Sequence, residues 1–316
     1  MGRAPRKQLD RGKGLDRRTL LIGGGAAAGL LLAWGAWPRT YAPNLAAGPT
    51  ETIVNAFLKI DRSGQIIVVV PQTEMGQGVT TVLPQILADE LGADWRTVAV
   101  QSAPISPLYA NELLAREWLA SDWTRLLGDA GRWAIDQYAT RSALMLTGGG
   151  TSIPMFHDAY RDAGAAARVL LCKAAAARWS IPWESCDIQE GLISDGAQRR
   201  MKIGDVAGEA MAFDLPPILP YRQGQDGRLA GQDLARLDTP SKIDGTHNFA
   251  ADVRLPDMVF ASIRQGPIGD ATLAGLDDRA ASSVTGFLKL VKQDRWVAAV
   301  ASNWWAANKA LDLADP

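Results

Sequence analysis

Residues 71–95 read PQTEMGQGVTTVLPQILADELGADW, and the architecture of the first half of the chain follows from them. The Ile- and Val-rich run that ends at Pro71 has the composition of a strand, and apolar residues recur at helical spacing through 82–91. Gly92 follows the last of them, at a position where helices commonly end. The pattern predicts a strand, a loop at 72–78 and a helix, with the loop amides directed into a helix N-terminus that favours anions.

The segments beside this unit carry patterns of their own. Residues 56–60 and 65–70 are β-rich and flank a Ser-Gly turn, which is typical of a hairpin. Residues 41–50 contain Pro, Ala and Gly and are predicted to be a linker. Further elements are predicted downstream: a strand at 98–100, helical structure over 111–147, a helix over 155–179 and a hairpin around 188–193. The first domain is therefore predicted to combine hairpins with helices.

The last third of the sequence has a different residue pattern. The run LPPILP at 215–220 can be neither a helix nor a central strand, so a domain boundary is placed there. Beyond it, strands are predicted at 259–264, 287–291 and 296–301, and a helix from near Asn303. The predicted divisions are a signal or anchor with its linker at 1–48, a first domain at 49–215 and a second domain at 216–316.

The N-terminal segment has the pattern of a twin-arginine export signal or membrane anchor. Arg17-Arg18 precedes 20–37, a run of 18 residues without a charge, which is at the lower limit for spanning a bilayer. A buried helix of the folded domain is the disfavoured alternative. Cleavage stays open, because 45–47 is a weak site and the tryptophans of the run suit an uncleaved anchor. The pattern predicts a periplasmic protein, or one on the periplasmic face of the inner membrane, and this route favours a bulky cofactor inserted before export.

Composition narrows the function classes. The formal net charge of the 316 residues is −1, which argues against a nucleic-acid binder. The two cysteines, Cys172 and Cys186, and the two histidines show no metal-ligand spacing, so no metal ligand is assigned. Cys172 lies in an Ala-rich helical pattern, where a free buried cysteine is favoured over a disulfide with Cys186.

Two glycine loops are the candidates for ligand binding. In the first, Gly76-Gln77-Gly78, the glycines allow a close approach of the backbone, and the Gln77 amide offers a donor and acceptors to a heterocycle. On this loop alone, an ordinary turn is the favoured interpretation. The second loop, GGGTS at 148–152, suits phosphate or polar cofactor edges, and a helix N-cap by Thr151 or Ser152 is the alternative. It lacks the Lys and the glycine spacing of a phosphate-binding or dinucleotide-binding loop.

Three acidic or imidazole side chains are candidates for acid–base chemistry by residue type alone. His157 and Asp158 lie early in a predicted helix and have no nucleophile at a suitable spacing, so a structural role is favoured. Glu74 is a general-base candidate by position only, and a structural role is favoured for it as well. No catalytic residue is therefore assigned.

Residues 71–95 strongly resemble the molybdopterin-binding subunit of the xanthine dehydrogenase family, in the branch of isoquinoline 1-oxidoreductase and the membrane-bound aldehyde dehydrogenases. GGTS at 149–152 and YRDAGAAAR at 160–168 resemble the second cofactor loop and helix of that branch. DTPSKIDG at 238–245, with 249–256, resembles the opening of its α/β hammerhead domain. The implied fold is α+β: part of a molybdopterin-binding domain, followed by an α/β hammerhead-like domain.

The resemblance implies a site and a reaction. The residues implied to contact the cofactor, a molybdopterin of the cytosine dinucleotide type, are Gly76, Gln77, Gly78, Gly150, Thr151 and Ser152. The implied reaction is molybdenum hydroxylation, in which oxygen from water enters an aldehyde or an N-heteroaromatic ring. The implied partners are a small iron–sulfur subunit, whose [2Fe-2S] clusters carry electrons to an external acceptor, and a cytochrome c subunit.

One departure from the family qualifies this expectation. The family is longer, and its catalytic base is a glutamate in a Gly-x-Gly-Glu context that this sequence lacks. The alternative expectation is a truncated, non-catalytic exported remnant, or one half of a split subunit that binds a partner. An incomplete domain would leave apolar surface uncovered. The Trp-rich stretch 118–133 is either part of such a surface or ordinary core, and core is the favoured prediction.

Overall fold

The computed structural model describes residues 40–223 and 228–316. The first part of the chain contains a four-stranded sheet. Its order is β1-β2-β3-β4, with strands β1 Glu51–Asn55, β2 Leu58–Asp61, β3 Ile66–Val70 and β4 Val98–Ser102. The pairs β1–β2 and β2–β3 are antiparallel, which confirms the predicted hairpin, and β3–β4 is parallel. A parallel pair needs a crossover, and the helix predicted after Pro71 supplies it.

Helices and a small second sheet complete the described portion of this part. The helices are α1 Val79–Leu91, α2 Glu112–Leu119, α3 Asp122–Leu126, α4 Asp129–Arg141, α5 Ser152–Trp179 and α6 Ala207–Ala210. The sheet is β5 Asp187–Gln189, β6 Leu192–Ser194 and β7 Arg200–Lys202, all antiparallel. The predicted helices and the second hairpin are thus confirmed. Helix α1 ends at Gly92, whose φ of 80° is the left-handed conformation that suits glycine at this position.

The core of this part lies where α1 and α5 cover the sheet. Leu83, Leu87 and Leu91 of α1 are fully buried, together with Leu171 of α5. The two helices approach closely at Gly164, where a Cβ would lie 2.4 Å from the carbonyl oxygen of Leu87. Glycine is therefore required at this contact by the proximity of the α1 backbone.

A segment that we call the strap, residues 228–238, runs antiparallel to α1. Gln85 of α1 donates to the carbonyl oxygen of Leu229 at 2.6 Å, and the amide of Leu237 donates to Thr81 at 3.2 Å. Near the end of α1, Asp89 accepts from the amide of Leu229 at 2.7 Å and from the guanidinium of Arg228. The strap is thus held at both ends and in the middle.

A buried carboxylate beside the strap ties several segments together. The side chain of Glu90 is 1 % exposed and accepts from Arg161 at 2.9 Å and from the amide of Arg222 at 2.9 Å. The carbonyl oxygen of Glu90 accepts from Arg168 at 3.0 Å. The chain divides into two compact units between Pro240 and Ser241. These contacts and the strap hold residues 216–223 and 228–240 in the first unit. The sequence placed a boundary earlier, at 215/216, where the chain has no regular element.

The second unit has its own sheet and core. Strands β8 Phe260–Gln265, β9 Phe287–Lys292 and β10 Trp296–Ala301 form an antiparallel sheet in the order β8-β10-β9. Its helices are α8 Asp278–Ser282 and α9 Trp304–Ala314, and the short helix α7 Thr239–Ile243 lies where the units divide. Val297 and Ala299 of β10 pack with Leu311 of α9. The predicted strands and the last helix are confirmed, and the mixture of sheets and helices is α+β as expected; the hammerhead-like identity of this unit stays a prediction.

Two further predictions concern the Trp-rich stretch and the N-terminal signal. The prediction that the Trp-rich stretch is core was wrong, because Trp118 is 63 % exposed and Trp133 is 43 % exposed. The short helices α2–α4 are amphipathic only over a few turns, so they bury Leu114 and Ile135 and leave other large side chains outside. The predicted signal or anchor on Arg17-Arg18 lies outside the described residues. Among the residues that are described, no helix is long and apolar enough to span a bilayer.

Candidate functional site

The first glycine loop, residues 72–78, is organised by one carboxylate. Oε1 of Glu74 accepts from the amides of Gly76 at 2.8 Å and Gly78 at 2.9 Å, and Oε2 accepts from the amide of Thr80 at 3.1 Å. The Thr80 hydroxyl donates to Oε2 as well, at 2.9 Å. Gly76 and Gly78 have φ values of 100° and 84°, where other residues are strained. The two glycines therefore allow the loop to curl around its own glutamate.

This arrangement favours a structural role for Glu74. Burial alone would raise the pKa of Glu74, but hydrogen bonds from the amides of Gly78, Thr80 and Gly76 and from the Thr80 hydroxyl lower it below its usual value. A general base works best with a pKa near the working pH. With its pKa lowered and its oxygens already accepting hydrogen bonds, Glu74 is better suited to hold the loop.

Gln77 and Arg236 close the same loop from two sides. The Gln77 side chain accepts from the amide of Met75 at 2.5 Å and donates to the carbonyl oxygen of Thr73 at 2.8 Å. Arg236, from the strap, donates to Glu74 at 3.0 Å and to the carbonyl oxygen of Gly76 at 3.0 Å. The amide group predicted to contact a ligand thus hydrogen bonds within the loop, while residues 76 and 77 are exposed.

The second glycine loop, residues 147–152, is organised by buried hydroxyls. Thr151 is the N-cap residue of α5, and its hydroxyl donates to the carbonyl oxygen of Gly148 at 2.8 Å and accepts from Asn111 at 2.8 Å. Gly149 and Gly150 are exposed and have φ values of 59° and 67°. The hydroxyl of Thr151 therefore shapes the loop and leaves the two glycines on the surface.

The structure brings the two loops together. The amide of Thr73 donates to the Thr147 hydroxyl at 2.9 Å. The Ser152 hydroxyl donates to the side-chain oxygen of Gln72 at 2.8 Å, in a buried contact. The starts of α1 and α5 therefore lie at one edge of the first unit, although the two loops are more than seventy positions apart in the chain. All six residues predicted to bind the cofactor lie on these two adjoining loops.

The adjoining loops offer open backbone to a ligand. A Cβ built on Gly76, Gly78 or Gly150 would meet nothing within 4 Å. Within residues 40–223 and 228–316, the amides of Gly149 and Gly150 have no protein acceptor. Exposed amides just before a helix N-terminus are suited to an anionic or hydrogen-bonding group. Thr151 and Ser152 are buried, and their hydroxyls hydrogen bond within the loops; their predicted contact with a cofactor stays a prediction.

Four residues that organise the site were not predicted from the sequence. They are Gln72, Asn111, Thr147 and Arg236. Asn111 carries a recognisable local signal, since it caps α2 by accepting from the amide of Leu114 at 3.1 Å. The other three act through partners distant in the chain, for which local patterns contain no signal.

The remaining candidates lie outside the two glycine loops. His157 pairs with its neighbour Asp158 at 2.9 Å on the surface of α5. Cys172 and Cys186 are free and buried, as favoured from the sequence, and burial raises the pKa of Cys172 to about 12. No group of three or more metal-ligating side chains occurs among the described residues.

A cavity of about 430 Å³ lies away from the glycine loops, at the opposite end of α1. It is lined by Asp89, Gly92, Trp95 and Arg222, among others. Asp89 and Arg222 are already engaged there in the contacts that hold Arg222 and residues 228–230 against α1. The cavity therefore belongs to the structural attachment of this segment, and the loops remain the candidate site.

Comparison with known proteins shows which proteins this chain is similar to. The model of the molybdopterin cofactor-binding domain matches residues 25–111, which include the first glycine loop. The chain is 26 % identical to the beta subunit of isoquinoline 1-oxidoreductase of Brevundimonas diminuta, over 94 % of this chain and 39 % of that protein. It is 26 % identical to membrane-bound aldehyde dehydrogenase (pyrroloquinoline-quinone) of Gluconacetobacter polyoxogenes, over 81 % of this chain and 30 % of the relative.

A third relative is named for nicotinate. A nicotinate dehydrogenase subunit of Pseudomonas putida is 25 % identical over 81 % of this chain and 20 % of its own length. The chain therefore spans well under half the length of these curated relatives.

Proposed function

Because this chain belongs to the family of molybdopterin-binding dehydrogenase subunits, we propose that its two glycine loops hold part of a molybdopterin cofactor. The enzyme would be a molybdenum hydroxylase that oxidises an aldehyde or an N-heteroaromatic compound. The observation that carries this proposal is the junction of the two loops through the contacts of Thr73 with Thr147 and of Gln72 with Ser152. It joins the two segments that resemble the cofactor loops of the family into one surface.

The residues at this surface fit such a cofactor. The open space beside Gly76, Gly78 and Gly150 allows a flat ring or a phosphate to approach the backbone. The amide of Gly150 at the start of α5 suits an anionic phosphate, and the cytosine dinucleotide form of the cofactor would add further phosphate. The Glu117 carboxylate lies beside Gly149, so Gly149 is less suited to an anion. In this proposal Gln77, Thr151 and Ser152 support the loops through their internal hydrogen bonds.

The cofactor would supply the redox chemistry, in which oxygen from water is added to the substrate carbon and two electrons are accepted. The role of this chain is to bind and orient, and none of its described residues is assigned a proton-transfer step. We propose that the electrons leave through [2Fe-2S] clusters of a small iron–sulfur subunit to an external acceptor, with a cytochrome c subunit as the further partner. The isoquinoline and nicotinate enzymes among the relatives are named as subunits, which agrees with an assembly of several chains.

Export to the periplasm is part of the same proposal. It rests on Arg17-Arg18 and on the uncharged run 20–37. An uncleaved run would tether the chain to the periplasmic face of the inner membrane. Insertion of a pterin before export would explain the use of a route that carries folded proteins.

A second candidate function is favoured by one observation. Helices α2–α4 and the turn between them expose Trp118, Leu126, Leu127 and Trp133, which is an unusual amount of apolar surface for one short segment. A chain that binds a partner through this surface, without a cofactor of its own, would account for them. Cofactor content separates the two candidates.

The test is the molybdenum and pterin content of the full chain purified from its own host. We expect molybdenum by mass spectrometry and pterin by fluorescence, in near-equal amounts. Gly76→Ala should reduce both, because it strains the loop and fills the open space beside it. Gly64→Ala is the matched control: Gly64 has a similar φ of 95° and similarly open surroundings, but it lies in the β2–β3 turn. Absence of both molybdenum and pterin, or equal loss in the two variants, would contradict the proposal and favour the partner-binding candidate.

A further inference from the structure

The strap reaches the first glycine loop through a single guanidinium. Nη2 of Arg236 lies 3.0 Å from Oε1 of Glu74, and Nη1 lies 3.0 Å from the carbonyl oxygen of Gly76. On its own segment, Arg236 forms a two-armed pair with Asp238, at 3.0 and 2.9 Å. The Asp238 pair fixes the direction of the guanidinium, so Arg236 presents two donors to the loop in a defined geometry.

Glu74 depends on such a counter-charge. Its carboxylate is largely buried and gathers the amides of Gly76, Gly78 and Thr80. A buried carboxylate is costly unless it is both hydrogen bonded and paired with a cation. Among the described residues, Arg236 is the cation that pairs with Glu74. Removing the guanidinium would therefore loosen the group around which the loop is wound.

The backbone of Gly76 is held from both sides. Its amide donates to Glu74, and its carbonyl oxygen accepts from Arg236. The remaining side of Gly76 faces open space, which is the side proposed above to receive the cofactor. The peptide geometry at this point thus depends on Glu74 and Arg236 together.

We propose that Arg236 is a positioning residue of the cofactor site: it fixes Glu74, and through Glu74 it fixes the backbone of residues 76–80 in the conformation that receives the molybdopterin. This inference rests on the proposed function. The strap would then be part of the site, although it lies about 160 positions beyond the loop in the sequence.

The strap has attachments to α1 that do not involve Arg236. The Gln85 side chain donates hydrogen bonds to the carbonyl oxygens of Leu229 and Gln232, and Asp89 accepts hydrogen bonds from Arg228. A substitution at Arg236 should therefore leave the strap in place and change the loop alone. This separates a positioning role from a general role in folding.

Hydrogen exchange of the cofactor-free full chain tests the loop part of the proposal. In Arg236→Ala, the amides of Gly76, Gly78 and Thr80 should exchange at least about tenfold faster, since charge-assisted contacts of this kind stabilise by more than ordinary hydrogen bonds. Amides in the middle of α1 should be unchanged. Arg178→Ala is the matched control: Arg178 is 40 % exposed against 38 % for Arg236, and it also joins a glutamate to a backbone carbonyl.

The rate of pterin loss from the cofactor-loaded full chain tests the second part. We expect about tenfold faster loss in Arg236→Ala and intermediate loss in Arg236→Lys, because lysine restores the charge but not the fork geometry. Glu74→Gln should also accelerate the loss, and the double variant should be no worse than the more severe single variant, because both residues act through one contact. Arg178→Ala should release pterin at the unsubstituted rate.

Each outcome supports or overturns the positioning role of Arg236. Unchanged exchange at residues 76, 78 and 80 in Arg236→Ala would overturn the proposal. Faster exchange with pterin loss no faster than in Arg178→Ala would overturn the link to the cofactor. If the unsubstituted chain retains no pterin, the proposed function fails and the cofactor role of Arg236 fails with it, whereas the exchange measurement still decides whether Arg236 fixes the loop.

Discussion

Gly164→Ala should destabilise the first unit, although alanine is the better helix former. Gly164 lies within α5, where α5 meets α1. A Cβ at this position would lie 2.4 Å from the carbonyl oxygen of Leu87 and 3.0 Å from Cβ of Glu90. Ordinary contacts between carbon and oxygen are about 3.3–3.6 Å long. The backbones of the two helices would therefore have to separate by about 1 Å, across a contact that includes the buried side chains of α1.

The magnitude follows from two opposing effects. Replacing glycine by alanine inside a helix stabilises it by up to about 1 kcal/mol. Overpacking of a close contact costs about 1–3 kcal/mol, and a contact with backbone on the other side belongs at the upper end of that range. The net effect is a destabilisation of about 2 kcal/mol, which corresponds to roughly a 30-fold change in the opening equilibrium.

Hydrogen exchange of peptides from α1 and α5 is the suitable assay, because two separate units make one bulk unfolding transition difficult to interpret. We expect the slowest amides of both helices to exchange roughly 30-fold faster in Gly164→Ala. Gly208→Ala is the control: it is also a glycine within a helix, α6, but its Cβ would meet only the Thr52 hydroxyl at 3.9 Å. If Gly164→Ala exchanges no faster than Gly208→Ala, the inferred closeness of α1 and α5 is incorrect.

Three further outcomes are expected. Glu90→Ala should cost about 3 kcal/mol, measured by the same exchange method, because it leaves the partly buried guanidinium groups of Arg161 and Arg228 without their buried carboxylate; a cost below that of an exposed ion pair would refute the reasoning. Burial opposes ionisation of Asp89, but hydrogen bonds from Arg228 and two strap amides lower its pKa below the usual value. The contribution of Asp89 to stability should therefore be complete above about pH 4 and be lost as the pH falls through the lowered pKa. Asp89→Asn should be less stable than the unsubstituted chain at pH 7, and this difference in stability should shrink in acid. Cys172, with its pKa raised to about 12 by burial, should resist iodoacetamide at pH 8 in the native protein and react after unfolding, as mass spectrometry of the labelled chain would show.

Local patterns were sufficient for most elements of the fold. The hairpin of β2 and β3, the end of α1 at Gly92 and the strand at β4 all follow from periodicity and turn residues close by in the chain. Strand β1 was not predicted from the sequence. The exposure of Trp118 was also missed, since an aromatic residue in a short helix has the same local pattern whether it is inside or outside.

The candidate site was predictable only in part. The glycines of both loops could be identified from the sequence, and their positive φ values agree with that identification. Their mutual contact depends on Thr73 with Thr147 and on Gln72 with Ser152, which are pairs of ordinary polar residues far apart in the chain. Arg236 has no local signal at all, because its role comes from the course of the strap. The parts that could not be predicted are therefore those that depend on tertiary contacts.

The strap also determines where the first unit can be cut out for separate study. A fragment that ended at residue 215, where the proline-rich run begins, would lack Arg228 and Arg222, so Asp89 and Glu90 would lose these partners and the cover that the segment provides. Such a fragment would expose one side of α1 to water and would aggregate or stay partly unfolded for that reason. A fragment extended to Pro240 keeps every strap contact described above. The useful cloning boundary thus lies at the end of an irregular segment and not at its conspicuous beginning.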